Sequence, residues 1–341
     1  MQQRFFLLPV FFSLFLSCGS PSKKTVHLYT WSYYIPDYIL EIFNEETNIR
    51  VIYDTYDSNE TMFAKLATGN AGFDVSMPSG DFVSVMIEKD MLMPLVHDKI
   101  PNFQKISPDV LRMVNFDPGN QYSVPYFVGA SGLNINTSKV TILDPSWAVF
   151  NNASLKNRMT MLNDMREALG AALKFLGYSV NTHNLQELQA AKAVLLSWKK
   201  NLLKFDAESF GKDFANENVY IAQGYPEVVL KEIDEQQREN YLFALPKEGG
   251  AMYMDSFVVM KDSKHANEAF ELINFILRPE IYARIADEFY YPSLIPEADA
   301  LRRRQPIYTI RQLTEGNFEF KENLGPMLSE YNKVWEEVLQ N

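Results

Sequence analysis

Between residues 26 and 81 the chain alternates three times between a short apolar strand signal and a helical stretch. That alternation leaves few folds open: it builds βαβ units around a largely parallel sheet. Residues 26–29 (VHLY) read as the first strand. Pro36 opens a helix to about Glu46, proline being favoured in a first helical turn. Residues 50–56 form the second strand, and Asp57 with Glu60 makes a capping-box-like start for a helix that stops at Gly69. Residues 74–77 are a third strand, closed by Pro78, and another helix follows from about Asp81.

The pattern returns further on. Residues 159–162 are a short strand, and Asn163 caps a helix to Leu176 that Gly177 ends. Residues 184–203 are a long amphipathic helix, 241–245 and 252–260 are strands, and 266–277 is a helix stopped by Pro279. A length of 341 residues suits two domains with sizeable cores. Residues 125–136, rich in small residues, read as a crossover between two lobes, and a second crossing near Gly249-Gly250 would leave both lobes discontinuous.

The formal net charge is −11, which disfavours nucleic acid and anionic membranes and suits a cationic partner. The N-terminus is a targeting signal. Arg4 precedes an apolar stretch at residues 5–16 that is too short to span a bilayer and fits a signal-peptide core. It runs into Ser17-Cys18-Gly19-Ser20, which resembles a bacterial lipoprotein signal with Cys18, the only cysteine, as the lipidated N-terminus. Residues 1–17 are thus expected as signal peptide and 18–25 as a lipidated tether. A protein attached to the membrane in the periplasm follows from this.

Catalytic signatures are missing. The four histidines (27, 97, 183 and 265) are scattered without metal-ligand spacing. No dinucleotide fingerprint, P-loop or nucleophile elbow occurs, so no cofactor and no metal are expected. A carboxylate pair remains open to a glycosidase reading.

Several strand-end loops carry candidate binding residues, since open α/β sheets place ligands beyond strand C-termini. Trp31-Ser32-Tyr33-Tyr34 is either a lid packed on the core or an aromatic wall. Ser79 and Asp81 in Met77-Pro78-Ser79-Gly80-Asp81 read as a helix cap at a cleft rim. Asp164 and Glu167, three apart, face one way; they are either dipole-complementing acids or a clamp for an ammonium. Asp255 interrupts the apolar run Met252-Tyr253-Met254-Asp255-Ser256-Phe257. A buried carboxylate there needs a cation or hydrogen-bond donors. Tyr290-Tyr291-Pro292 is an aromatic turn, and Arg302-Arg303-Arg304 reads as a solvated face or a docking patch. Aromatic faces and carboxylates together suit an aliphatic ammonium, through cation–π contact and charge-assisted hydrogen bonds.

These blocks resemble the periplasmic spermidine/putrescine-binding (PotD-type) proteins of polyamine ABC transporters. The most specific are PKEGGAMYMDSFVV at 246–259 and DSNETMFAKL at 57–66; TWSYYIP, DVSMPS, YSVPYFVGASG, NDMREALG, LINFILRP and YYP support them. The resemblance implies an α/β, two-lobed periplasmic-binding-protein fold (type II), each lobe a central sheet flanked by helices, with two interlobe crossovers. Lobe 1 is expected at 26–128 plus 254–295, and lobe 2 at 129–253 plus 296–341. By position it implies ligand contacts from Trp31, Ser32, Tyr34 and Ser79, an amine-holding pair in Asp164 and Glu167, a central carboxylate in Asp255, and aromatic walls in Tyr253 and Tyr291. Asp81 stands where the family has an aromatic, Ala222 and Tyr253 where it has tryptophans, and Lys321 where it has a glutamine. The expected protein is a monomeric, non-catalytic receptor that captures putrescine and spermidine and delivers them to an ABC permease. Its rivals are a receptor for another organic cation and a secreted carboxylate-pair hydrolase.

Overall fold

The computed structural model describes residues 24–32, 34–69 and 71–340. Cys18 and residues 1–17, expected as a signal peptide, lie outside these residues, as does Tyr33. Eleven strands occur among the described residues: β1 Lys24–Trp31, β2 Ile49–Tyr56, β3 Val75–Ser76, β4 Ser123–Ala130, β5 Gly132–Asn136, β6 Met159–Met161, β7 Leu202–Phe205, β8 Ile221–Gly224, β9 Tyr241–Ala244, β10 Ala251–Val259 and β11 Glu319–Phe320. They form two sheets. In the first, β1 pairs in parallel with β2 and β3, and β10 pairs antiparallel with β3 and β4 and parallel with β11. The second runs β7-β6-β8-β5-β9. The N-terminal alternation thus becomes the parallel sheet it implied.

β4 and β10 are buried along their whole lengths, as strands covered by helices on both faces must be. Around the first sheet the core gathers Leu28, Phe43, Phe127, Phe257 and Phe270, and around the second Leu169, Leu195, Trp198, Tyr331 and Trp335. The chain passes between sheets at Ser131, where β4 gives way to β5, and again between β9 and β10, within or beside the two stretches that the sequence marks. Residues 321–327 make a third passage, from β11 to the terminal helix Leu328–Gln340, which packs on the second core.

Some expectations shift. β1 starts at Lys24, so the last two residues assigned to the tether belong to the sheet. Ser58, not Asp57, caps the helix Asn59–Leu66, its side chain accepting from the Thr61 N–H. Asp164, not Asn163, caps Met165–Phe175. The helix from Asn184 ends at Lys199, because residues 202–205 are drawn into the second sheet beside β6. Residues 296–320 do not all follow the second lobe: Tyr308, Leu313 and Phe318 are buried in the first core. Arg302 is no solvated arginine, since its side chain is 4% exposed and bonds Asp287 and the carbonyls of Ala286 and Tyr291. It thereby fixes the Tyr291 turn.

Candidate functional site

Asp255 lies in the middle of β10, and the apolar strand around it leaves its carboxylate 3% exposed. Two hydroxyls meet it: Tyr34 donates to one oxygen at 2.5 Å and Ser79 to the other at 2.6 Å. Asn59 in turn donates to the Ser79 hydroxyl and accepts from its backbone N–H, both at 3.1 Å. Ser79 is therefore the N-cap residue of Gly80–Glu88 by position, but its hydroxyl serves Asp255 instead of the helix. Neutral donors do not offset the loss of water around a charge. Burial accordingly pushes the Asp255 carboxyl up to about 6.

A second cluster forms where the helix after β6 faces the third passage. Asp164 spends one oxygen on the Glu167 N–H at 3.0 Å, the capping bond, so the helix-cap reading holds for it and leaves its other oxygen free of that bond. Glu167 is buried; it accepts from Lys321 Nζ at 2.9 Å and from the Ser131 hydroxyl at 2.7 Å. Gln223 donates to the Glu167 carbonyl and has no partner for its own side-chain oxygen. Asp81 is buried, 4.0 Å from Arg166 and with its other oxygen unpartnered. Its carboxyl is raised by burial against the opposing pull of Lys321 and Arg166. At the exposed rim, Glu60 is raised by desolvation and by Asp164 and Asp81.

Aromatic rings bridge these groups. Tyr253 is seated against Gly129 of β4, where an added Cβ would fall 2.3 Å from the tyrosine oxygen, so any side chain there would push the Tyr253 ring out of place. The Tyr225 ring meets Tyr253 edge-on at 5.7 Å, and Lys321 Nζ stands 5.7 Å from the Tyr253 centroid. Tyr291 packs on Phe127 at 4.2 Å and donates its hydroxyl to Glu227 at 2.8 Å. Burial lifts the Glu227 carboxyl to about 7, and its second oxygen is buried without a partner.

Of the residues expected at the site, Tyr34, Ser79, Tyr253, Asp255 and Tyr291 are brought together with the Asp81, Asp164 and Glu167 group. Trp31 and Ser32 stand apart. The Trp31 indole N–H is committed to the Met77 carbonyl at 2.9 Å and its ring packs on Tyr56, which is the lid reading. Both line a cavity of about 430 Å³ that also touches Tyr34, Lys231, Asp37 and Glu288 but none of Asp81, Asp164, Glu167 and Asp255. Sequence reasoning missed Tyr225, Glu227, Ser131 and Gln223. Ala222, which stands where the family has a tryptophan, is buried on β8, but Tyr225, three residues on, returns an aromatic ring to Tyr253. Glu227 resembles any acid in a first helical turn. Among the described residues no group of three or more His, Cys, Asp and Glu is placed to hold a metal ion, and no helix is long and apolar enough to cross a membrane.

A model of the bacterial extracellular solute-binding proteins matches residues 39–304. The chain is 31% identical over 319 residues to the putrescine-binding periplasmic protein SpuD of Pseudomonas aeruginosa, covering 87% of each. It is 35% identical over 276 residues to a spermidine/putrescine-binding periplasmic protein of Salmonella typhimurium, covering 80% of this chain and 78% of that one. The crystal structure of the TpPotD lipoprotein of Treponema pallidum superposes with a TM-score of 0.89 at 39% identity, over 92% of this chain and 99% of that one.

Proposed function

The chain belongs to the bacterial extracellular solute-binding proteins, and from that membership we propose that it captures polyamines, putrescine and spermidine, and delivers them to the permease of an ABC transporter. The observation that carries the reading is Asp255. Its carboxylate is buried with only hydroxyl partners among the described residues, so it lacks the cation that an ammonium ligand would supply. Tyr34, Ser79, Tyr253 and Tyr291 would wall that nitrogen, and Asp81, Asp164 and Glu167 would supply the field for the rest of the ligand. Trp31 and Ser32 would act at the mouth.

The first lobe in this proposal comprises residues 24–130 with 251–320, and the second 131–250 with 321–340. Each contributes part of the site, so ligand binding favours the closed arrangement of the lobes. Lipidation of Cys18 would hold the protein as a monomer at the periplasmic face of a membrane. It would do no chemistry. Both Glu167 oxygens are occupied, by Lys321 and Ser131, so Glu167 is not the free acid that a hydrolase would need. Calorimetry of the full chain in detergent against polyamines, basic amino acids and sugars tests the proposal. Heat with the polyamines alone is expected; saturable sugar binding without amine binding would overturn it.

A further inference from the structure

We infer that Lys321 is a built-in ammonium of the binding site, filling one amine position so that a diamine is favoured over a triamine; this rests on the polyamine reading above. Lys321 follows β11 on the third passage between the sheets. Its backbone N–H donates to the Met252 carbonyl at 3.0 Å, which pins the residue beside Tyr253. From there Nζ reaches Glu167 at 2.9 Å and stands over the Tyr253 ring, with the lysine side chain 9% exposed and the glutamate 0%. A carboxylate in hydrogen-bond reach and an aromatic face are the two contacts an alkylammonium ligand seeks. Here the chain supplies the ammonium itself.

The remaining contacts close the position. Glu167 gives its second oxygen to Ser131, and Asp164 gives one oxygen to the helix cap. Burial works against charge on Lys321, but Glu167, Asp164 and Asp81 outweigh it and hold the amine well above the ordinary lysine range, so it stays charged at any physiological pH. Arg166 adds a second internal cation beside Asp81. Glu167 and Asp81 are therefore already answered by the protein's own bases.

Asp255 and Glu227 are not. Among the described residues their hydrogen-bond partners are the hydroxyls of Tyr34, Ser79 and Tyr291, and one oxygen of Glu227 is buried with no partner. Two unanswered carboxylates call for two ammonium groups. Putrescine carries two. Spermidine brings a third, and the place where a third would gain most is held by Lys321, whose charge repels it.

The test is competition calorimetry on the full chain in detergent, with butylamine, putrescine and spermidine as a ladder of one, two and three charges. Wild type is expected to bind putrescine at least tenfold tighter than either neighbour. Lys321→Gln and Lys321→Met should cut the putrescine-over-spermidine ratio at least tenfold, through tighter spermidine binding. A wild-type preference for spermidine overturns the inference even if neither variant folds. So does an unchanged ratio in folded variants. Equal tightening of both amines also overturns it, since Lys321 would then be a plug that any ligand displaces. Should wild type bind none of the three, the polyamine reading fails and takes this inference with it; polyamine binding without the stated ratio leaves that reading standing.

Discussion

Asp255→Asn separates what the carboxylate does for binding from what it does to stability, and the two effects have opposite signs. In the ligand-free protein the folded chain holds the Asp255 proton more tightly than the unfolded chain, with the carboxyl raised from 3.8 to about 6. A raised acid contributes stability at low pH and loses it as pH climbs between those two values. The difference is worth about 3 kcal/mol, at 1.36 kcal/mol per pH unit. Asparagine has no such dependence, but it replaces one acceptor oxygen by a donor, so Tyr34 or Ser79 loses its partner at a cost of about 1–3 kcal/mol. The clean quantity is therefore the pH dependence of the gap. Urea unfolding of ligand-free wild type and variant at pH 4 and pH 8 should show wild type losing roughly 2.4 kcal/mol relative to Asp255→Asn, most of the full difference, since the unfolded acid is already partly ionised at pH 4. Calorimetry at pH 8 should show the variant binding putrescine more weakly by at least ~2 kcal/mol. Parallel stability profiles, or near-native affinity in a folded variant, would refute the reasoning.

Three further outcomes follow from individual side chains. Cys18→Ser should move the protein from the detergent phase to the aqueous phase on phase partitioning; unchanged partitioning removes the lipid anchor from the proposal. With Glu227 raised to about 7 and Asp255 to about 6, polyamine affinity should rise with pH through that window as both acids ionise, and binding at pH 6.5 should release protons. Glu227→Gln should flatten the upper part of that profile, measured by calorimetry in buffers of different ionisation heat; identical profiles would acquit Glu227. Asp164→Ala should cost about 1 kcal/mol in thermal or urea unfolding through loss of the cap, whereas Asp164→Asn, which can still cap, should cost little and weaken ligand binding alone.

How much of this was readable in the chain depends on how far apart the interacting residues lie. The βα alternation of the first eighty residues is a local pattern, and it produced β1, β2 and β3 in parallel as the pattern requires. The Gly-rich stretches marked two of the three passages between sheets, because small residues let buried strands cross closely; the third, at residues 321–327, carries no such signal. Asp255 announced itself because a carboxylate inside an apolar strand is costly wherever the fold puts it. Local signals failed where a tertiary partner outbid them. Residues 202–205 continue a helical pattern yet join a sheet, and Arg302 sits in a basic run yet turns inward to Asp287.

The site itself is built from partners that no local pattern connects. Tyr34 and Asp255 are 221 residues apart, Lys321 and Glu167 are 154 apart, and Tyr291 and Glu227 are 64 apart. Each pair joins segments that only the returning chain brings together. The resemblance to polyamine-binding proteins pointed to Asp164, Glu167 and Asp255 as acids of the site, but Asp81 stands where that family has an aromatic, and it gave no sign of Glu227. It pointed to Lys321 only as a departure, a lysine where a neutral amide is usual. What that lysine does could not be read from the departure, since pairing with Asp81 was equally open in the sequence. The structure decides between the two partners by geometry: Nζ is within hydrogen-bond distance of Glu167, and Asp81 has Arg166 as its nearest base. A substitution that looks like loss of a ligand contact thus becomes gain of an internal ligand, and the charge that the site still lacks lies at Asp255 and Glu227.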